Sequence, residues 1–301
     1  MKLFILKMRT TQVINKTPWA TAHGKLIVSG EYSILQGTIA LVIPLKNHIK
    51  ARLVTNIKNK PVYSPHVEFI LNVCKEEFSS DYSHFKLELN STIPQNCGLG
   101  SSAALAHAIV QACAQVNRCV LSLSQKITLI QKCETYAHGR PSGLDAVATA
   151  YNLPLVVKSI GGELKITDKK TPFFNINNYV LINSGAAKET TKEMVEKSLK
   201  KPDFKKICAN ISKVTNKIIE QLEKGVPPTF LLTTNQRQLE TLGVVGSKAK
   251  EMINLIESIG GHAKVCGAGG IKGGSGIILA YHQQKNKLLN LTSNHQWEVL
   301  Q

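Results

Sequence analysis

The segment Pro94-Gln-Asn-Cys-Gly-Leu-Gly-Ser-Ser-Ala-Ala104 constrains this chain more than any other. It follows an alternating, strand-like run (Phe85, Leu87, Leu89) and opens a long apolar helical pattern from Ser102 to Asn117. The chain must therefore turn at Gly98 and Gly100 and enter a helix at once. Glycine takes dihedrals that other residues resist and lets the backbone approach a bound group. The first N–H groups of the helix have no intrahelical partner and sit at the positive end of the helix dipole. Such a start attracts anions, phosphate above all. Ser101 and Ser102 add hydroxyls that can ligate a hard cation. The segment predicts a phosphate cradle. A plain glycine turn capped by serine would use the same residues, so other segments must decide.

The rest of the N-terminal half alternates strands and helices. Ala22–Ser29 and Thr38–Leu45 read as apolar strands, Lys50–Lys60 as a polar stretch ending at Pro61, and Val67–Phe78 as a helix. The helix after the glycine loop is apolar nearly all round, with His107, Gln111 and Gln115 as its one polar stripe, so it belongs in a core. A second helix is expected from about Ser124, an N-cap residue type, to His138, stopped by Gly139. Leu153–Lys158 and Glu163–Ile166 flank Gly161-Gly162 as a hairpin. A domain boundary is expected near Lys169–Pro172, giving domains 1–170 and 171–301. Beyond it come a strand at Tyr179–Asn183, helices across Glu189–Leu199, Phe204–Leu222, Thr234–Leu242 and Lys248–Ile259, and strands at Ala263–Cys266 and Gly276–Tyr281.

Composition narrows the partners. At 301 residues the chain can bury a large core. No apolar run approaches the roughly 20 residues of a membrane span, so no membrane partner is expected. Met1–Arg9 holds only a short apolar patch between lysines, unlike a signal peptide. Seven cysteines without Cys-x-x-Cys spacing argue against a disulfide framework or zinc site and for a reducing cytoplasm. A net charge of +17 admits a nucleic-acid binder. However, the densest lysine cluster, Lys188–Lys217, also holds Glu189, Glu193, Glu196 and Asp203 and lacks the interleaved aromatics of a stacking surface. No nucleic-acid partner is expected, and the positive field would gather anionic substrates.

Four further segments carry candidate chemistry. Ile127, Ile130, Glu134 and Ala137 fall on one helical face, which puts a carboxylate in an apolar stripe. Such a group needs a partner, so Glu134 is half of a buried ion pair, or lies on a helix whose buried face is phased differently, or is a magnesium ligand. In His138-Gly-Arg-Pro-Ser-Gly-Leu-Asp145, the glycines and proline make a fixed turn and Asp145 emerges at the start of an apolar run. It is either an N-cap or, with a phosphate loop in the same domain, a general base for a substrate hydroxyl. Lys25 precedes the apolar run Leu26-Ile-Val28. It either snorkels to solvent or stands beside an aspartate, keeps it ionised and polarises the attacking hydroxyl. Six glycines between residues 267 and 276 suggest a backbone that approaches something closely, or else a mobile loop. No G-x-x-x-x-G-K-[ST], helix-opening G-x-G-x-x-G, His-Glu-x-x-His or G-x-S-x-G occurs, which removes Walker-type, dinucleotide, common zinc and serine-hydrolase readings.

These segments resemble the GHMP kinase family, and within it most closely the mevalonate kinases. Lys25–Gly37 is similar to the first family motif, Pro94–Ala104 to the second, His138–Asp145 to the H-G-x-P-S-G-x-D of mevalonate kinases, and Lys264–Gly276 to the third. The chain departs from the pattern at Tyr32 (usually His), at His23 (commonly Pro), at Lys188 (frequently Arg), and by the extra Ile271 and Lys272 in the third motif. The resemblance implies an α+β, two-domain GHMP kinase fold: an N-terminal domain like domain 2 of ribosomal protein S5, then a ferredoxin-like C-terminal domain. It implies that Gly98, Leu99, Gly100, Ser101, Ser102 and Ala103 wrap the phosphates of ATP, supported by Gly267, Ala268, Gly269 and Gly270. Ser102 and Glu134 would hold Mg2+, Asp145 would take the alcohol proton beside Lys25, and Glu31, His138 and Thr190 would lie near the acceptor. The expected reaction is transfer from ATP to the primary hydroxyl of mevalonate. The alternatives are phosphomevalonate, another sugar or alcohol, and, outside enzymes, an S5-like nucleic-acid-binding protein. The resemblance also allows a homodimer.

Overall fold

The computed structural model describes residues 16–55, 61–139, 142–161, 163–167 and 174–300. Met1–Arg9, Gly162 and the expected boundary at Lys169–Pro172 fall outside the described residues.

The first sheet is built from β1 (Ala20–Ser29), β2 (Ile39–Thr55), β3 (Phe85–Ser91), β4 (Leu155–Ile160) and β5 (Glu163–Ile166). All its pairings are antiparallel, in the order β1-β2-β4-β5, with β3 pairing the far half of β2. The polar stretch expected from Lys50 is corrected here, because β2 runs on to Thr55. Ile49, Ala51 and Leu53 are buried while the alternate residues face outward, so a period of two is hidden under charged side chains. Between the strands lie α1 (Pro65–Phe78), α2 (Ser101–Val116), α3 (Leu123–His138) and α4 (Leu144–Tyr151). Alanines on α2 are buried against the sheet, and its expected polar stripe is itself half-buried, with His107 at 4% exposure. Ser122, not Ser124, caps α3, exchanging hydrogen bonds with Gln125 in a capping box.

The second sheet comprises β6 (Tyr179–Asn183), β7 (His262–Val265), β8 (Ile277–Tyr281) and β9 (Glu298–Leu300). Helices α5 (Thr191–Leu199), α6 (Phe204–Glu223), α7 (Thr229–Leu242) and α8 (Ser247–Ser258) separate β6 from β7, and α9 (Lys285–Asn294) separates β8 from β9. The strand order β7-β8-β6-β9, antiparallel throughout, is the split βαβ arrangement of a ferredoxin-like sheet. The last helix and strand, α9 and β9, escaped the sequence reading because both are short.

The two sheets share a core. Ile218, Ile219 and Leu222 of α6 and Leu232 of α7 pack in one cluster with Leu26, Leu41 and Leu53 of the first sheet. Inside it, the Ser29 hydroxyl meets Thr215 Oγ1 at 2.7 Å and accepts from Asn235 Nδ2 at 2.8 Å. This buried polar knot ties the end of β1 to α6 and α7, and so fixes the strand that carries Lys25.

Candidate active site

The site forms where β1, α2, α3 and α4 converge. The β1–β2 register shifts between His23 and Lys25, a bulge that re-aims the strand. Lys25 N then donates to Leu99 O at 2.9 Å, which ties β1 to the glycine loop. The Lys25 side chain, buried at 3% exposure, donates to Gly98 O at 3.1 Å and pairs with Asp145 Oδ1 at 3.1 Å. Gly100 caps α2 with φ of 70°, and a Cβ there would stand 2.9 Å from the Lys25 Cγ, so both the turn and the lysine's path demand glycine. No side chain caps α2, which leaves its first N–H groups for a ligand.

Asp145 is not an N-cap. Gly143 holds that position, and Asp145 lies in the first turn of α4, where its carboxylate reaches across to Lys25. Glu134 is buried at 3% exposure beside Ile130 and Cys133, while Ala137 faces solvent, so the apolar stripe runs one residue off the expected line. Burial, and next the Asp145 carboxylate, push the Glu134 carboxyl up to about 7, against the opposing pull of the Ser102 hydroxyl and the Lys25 ammonium. Hence the two carboxylates, the serine and the lysine sense one another.

All four line one cavity of about 920 Å³ with Gly98, Leu99, Gly100 and Ser101. Gly267 and Ala268 close it from the third glycine segment, while Gly269 and Gly270 press against Val244 and Ala187 instead. The Ala103 side chain is fully buried in the core, which leaves only its backbone for the cradle. Glu31 also lines the cavity, buried at 2%, and forms an ion pair with Lys264. His138 ends α3, but its side chain lies outside the described residues, as do Arg140 and Pro141. Thr190 is a helix cap: its hydroxyl accepts from Glu193 N at 3.2 Å. The next residue, Thr191, faces the cavity in its stead, along with Lys192, Val195, Glu196 and Leu199 from one face of α5. Their three-and-four spacing was visible in the sequence, but not which face would meet the cavity. Ile27, Ile34 and Leu35 complete an apolar wall.

Tyr32 has φ of 60°, and its hydroxyl donates to Ala268 O at 2.5 Å. Burial raises the phenol above its ordinary range. A hydroxyl at this place therefore ties the first motif to the third.

The chain is similar to known proteins over most of its length. The GHMP kinases N terminal domain family matches residues 66–152. The mevalonate kinase of Pyrococcus furiosus is 25% identical over 313 residues, covering 88% of this chain and 90% of its own. Among solved structures, the mevalonate kinase of Methanococcus jannaschii superposes with a TM-score of 0.79 at 17% identity, over 94% of this chain and 96% of that one. The Streptococcus pneumoniae phosphomevalonate kinase in complex with phosphomevalonate and AMPPNP superposes at 0.75 with 15% identity, over 95% and 99%. At such identities the superpositions establish the fold, and that fold serves more than one acceptor.

Proposed function

We propose, from the premise that the chain belongs to the GHMP kinase superfamily, that it transfers the terminal phosphoryl group of ATP to the primary hydroxyl of mevalonate, giving 5-phosphomevalonate and ADP. The observation that carries this is the Lys25–Asp145 pair, 3.1 Å apart, beside the uncapped start of α2 and within one cavity with Ser102 and Glu134. Phosphoryl transfer depends mainly on positioning and on neutralising charge. Gly98 to Ala103 present backbone amides to the phosphates, and Lys25 adds a fixed positive charge. Asp145 accepts the hydroxyl proton, with the Lys25 ammonium 3.1 Å from its carboxylate. Thr191 is assigned to the acceptor side.

The donor set fits Mg2+. Ser102 and Glu134 offer hard oxygens, and the burial and the Asp145 charge that push the Glu134 carboxyl up are what a bound cation would offset. A magnesium ion held there would neutralise phosphate charge.

Charge along the cavity supports mevalonate over an acceptor that already carries a phosphate. With Glu31 paired to Lys264 and the Glu134 carboxyl pushed up to about 7, the described lining sets Asp145 and Glu196 against Lys25 and Lys192, with no spare positive charge. A second dianion would find nothing there to neutralise it. Lys192 stands only 4.0 Å from Glu196 and close over Gly139, within reach of one acceptor carboxylate.

We propose the division into domains 1–170 and 171–301, a reading supported by one sheet ending at Ile166 and the other beginning at Tyr179. Among the described residues no helix is long and apolar enough to cross a membrane, and we place the enzyme in the cytoplasm with a small-molecule acceptor and no nucleic-acid partner; a homodimer accords with the family. The test is coupled ADP release over mevalonate, phosphomevalonate and a sugar panel. Turnover on mevalonate is expected. Preference for phosphomevalonate or a sugar would overturn the acceptor, and salt-sensitive RNA or DNA binding without turnover would overturn the enzyme.

A further inference from the structure

Lys264 on β7 has no exposed surface, and its ammonium pairs with Glu31, 233 residues away and 2% exposed. A buried ion pair is weak evidence of stabilisation, since apolar residues of equal volume often serve as well. This one sits at a junction. Glu31 and Tyr32 are consecutive, and they grip both ends of one segment: Glu31 holds Lys264, while the Tyr32 hydroxyl donates to Ala268 O at 2.5 Å. Between those ends the segment lies against the phosphate loop. A Cβ on Gly98 would stand 3.1 Å from Cys266 O, and one on Gly267 would stand 3.3 Å from the Gly98 Cα. The Gly98 carbonyl in turn accepts from Lys25 Nζ at 3.1 Å, and Lys25 pairs with Asp145. Contacts thus run without a gap from Lys264 to Asp145.

We infer that the Lys264–Glu31 pair is a clamp that holds residues 264–268 against the phosphate loop, which makes Lys264 a positioning residue for the nucleotide, acting through Gly98 and Lys25. The inference rests on the kinase reading above. The clamp acts on the ATP side of the cavity. Glu31 also has a buried oxygen, Oε2, with no hydrogen-bond partner among the described residues. If that oxygen bound the acceptor directly, loss of Glu31 would be felt on the acceptor side instead.

The test compares the unaltered chain with the double variant Glu31→Met/Lys264→Met and with Tyr32→Phe. Three quantities are read: melting temperature, affinity for a fluorescent ATP analogue without acceptor, and the separate KM values for ATP and mevalonate. The double variant should melt near the parent, because both charges leave together. Its analogue affinity should weaken and its ATP KM rise by about tenfold, as expected when reacting groups are displaced by a fraction of an ångström, with the mevalonate KM changed by less than about twofold. Tyr32→Phe should raise the ATP KM by about threefold, the scale of one lost hydrogen bond. A folded double variant with unchanged analogue affinity, or one whose defect is confined to the mevalonate KM, overturns the clamp. Should the double variant fail to fold, an unchanged ATP KM in Tyr32→Phe overturns it alone. Analogue binding needs no acceptor, so a chain that binds the analogue but phosphorylates nothing sinks the functional reading and leaves the clamp to be judged.

Discussion

Replacing Glu134 with glutamine should make the protein more stable and less active. Glu134 is 3% exposed, and burial with the nearby Asp145 charge moves its carboxyl from 4.5 to about 7. The folded state therefore holds a proton that the unfolded chain releases above its ordinary pKa. Stability from this group is greatest below pH 4.5, falls as pH rises towards 7, and is flat above. At about 1.36 kcal/mol per pKa unit, the shift costs about 3 kcal/mol at pH 8 and about 1 kcal/mol at pH 5. Glutamine carries no charge and escapes that cost. Without divalent cations, the variant should gain about 2.5 kcal/mol on the parent between pH 5 and pH 8, roughly 4 °C of melting temperature for a chain of this size. Adding Mg2+ with ATP should reverse the order, because ligand binding stabilises only a site that can hold the ion. Turnover should fall by at least about tenfold. Urea or thermal denaturation at the two pH values checks this. Parallel pH profiles for the two proteins would refute the reasoning, as would a more stable parent at pH 8 without metal.

Asp145→Asn should lower kcat by about 10²–10⁴, the range for a lost general base, with nucleotide affinity nearly unchanged. Substantial residual turnover in steady-state assays would remove Asp145 from that role. Ser102→Ala should raise the Mg2+ concentration needed for half-maximal rate by several-fold, a modest effect because one neutral ligand of several is lost; an unchanged magnesium titration would remove Ser102 from the metal site. Glu196→Gln should improve phosphomevalonate relative to mevalonate as acceptor by about three- to tenfold, the scale of one partly screened charge. Equal effects on both kcat/KM values would show that Glu196 does not sense the acceptor.

The parts of the site legible in the sequence are those whose chemistry demands particular residues in a row. The turn through Gly98 and Gly100 and the helix that follows were readable because backbone geometry is local. The segment Gly143–Asp145 was readable for the same reason, although Gly143 rather than Asp145 caps α4. Glu134 was visible as a polar intruder in an apolar stripe. Thr190 caps α5, and a threonine three residues before a glutamate at a helix start looks the same whether it caps or binds, while the cavity face of the helix begins one residue later, at Thr191.

Strand β2 was half missed because lysine and arginine on its outer face hide the buried Ile49, Ala51 and Leu53. The pairing of Glu31 with Lys264 left no local trace at all.

By itself, then, the sequence determined the elements and the chemical vocabulary: the glycine turns, the helix starts, and the acids and bases available. Only the tertiary structure decided which of them meet. Whether Glu31 faces a ligand or a lysine, which side of α5 walls the cavity, and whether Lys25 reaches solvent or Asp145 all depend on contacts between residues about a hundred or more positions apart. Periodicity and turn chemistry act over a few residues, whereas those contacts form only once two sheets have packed on a common core.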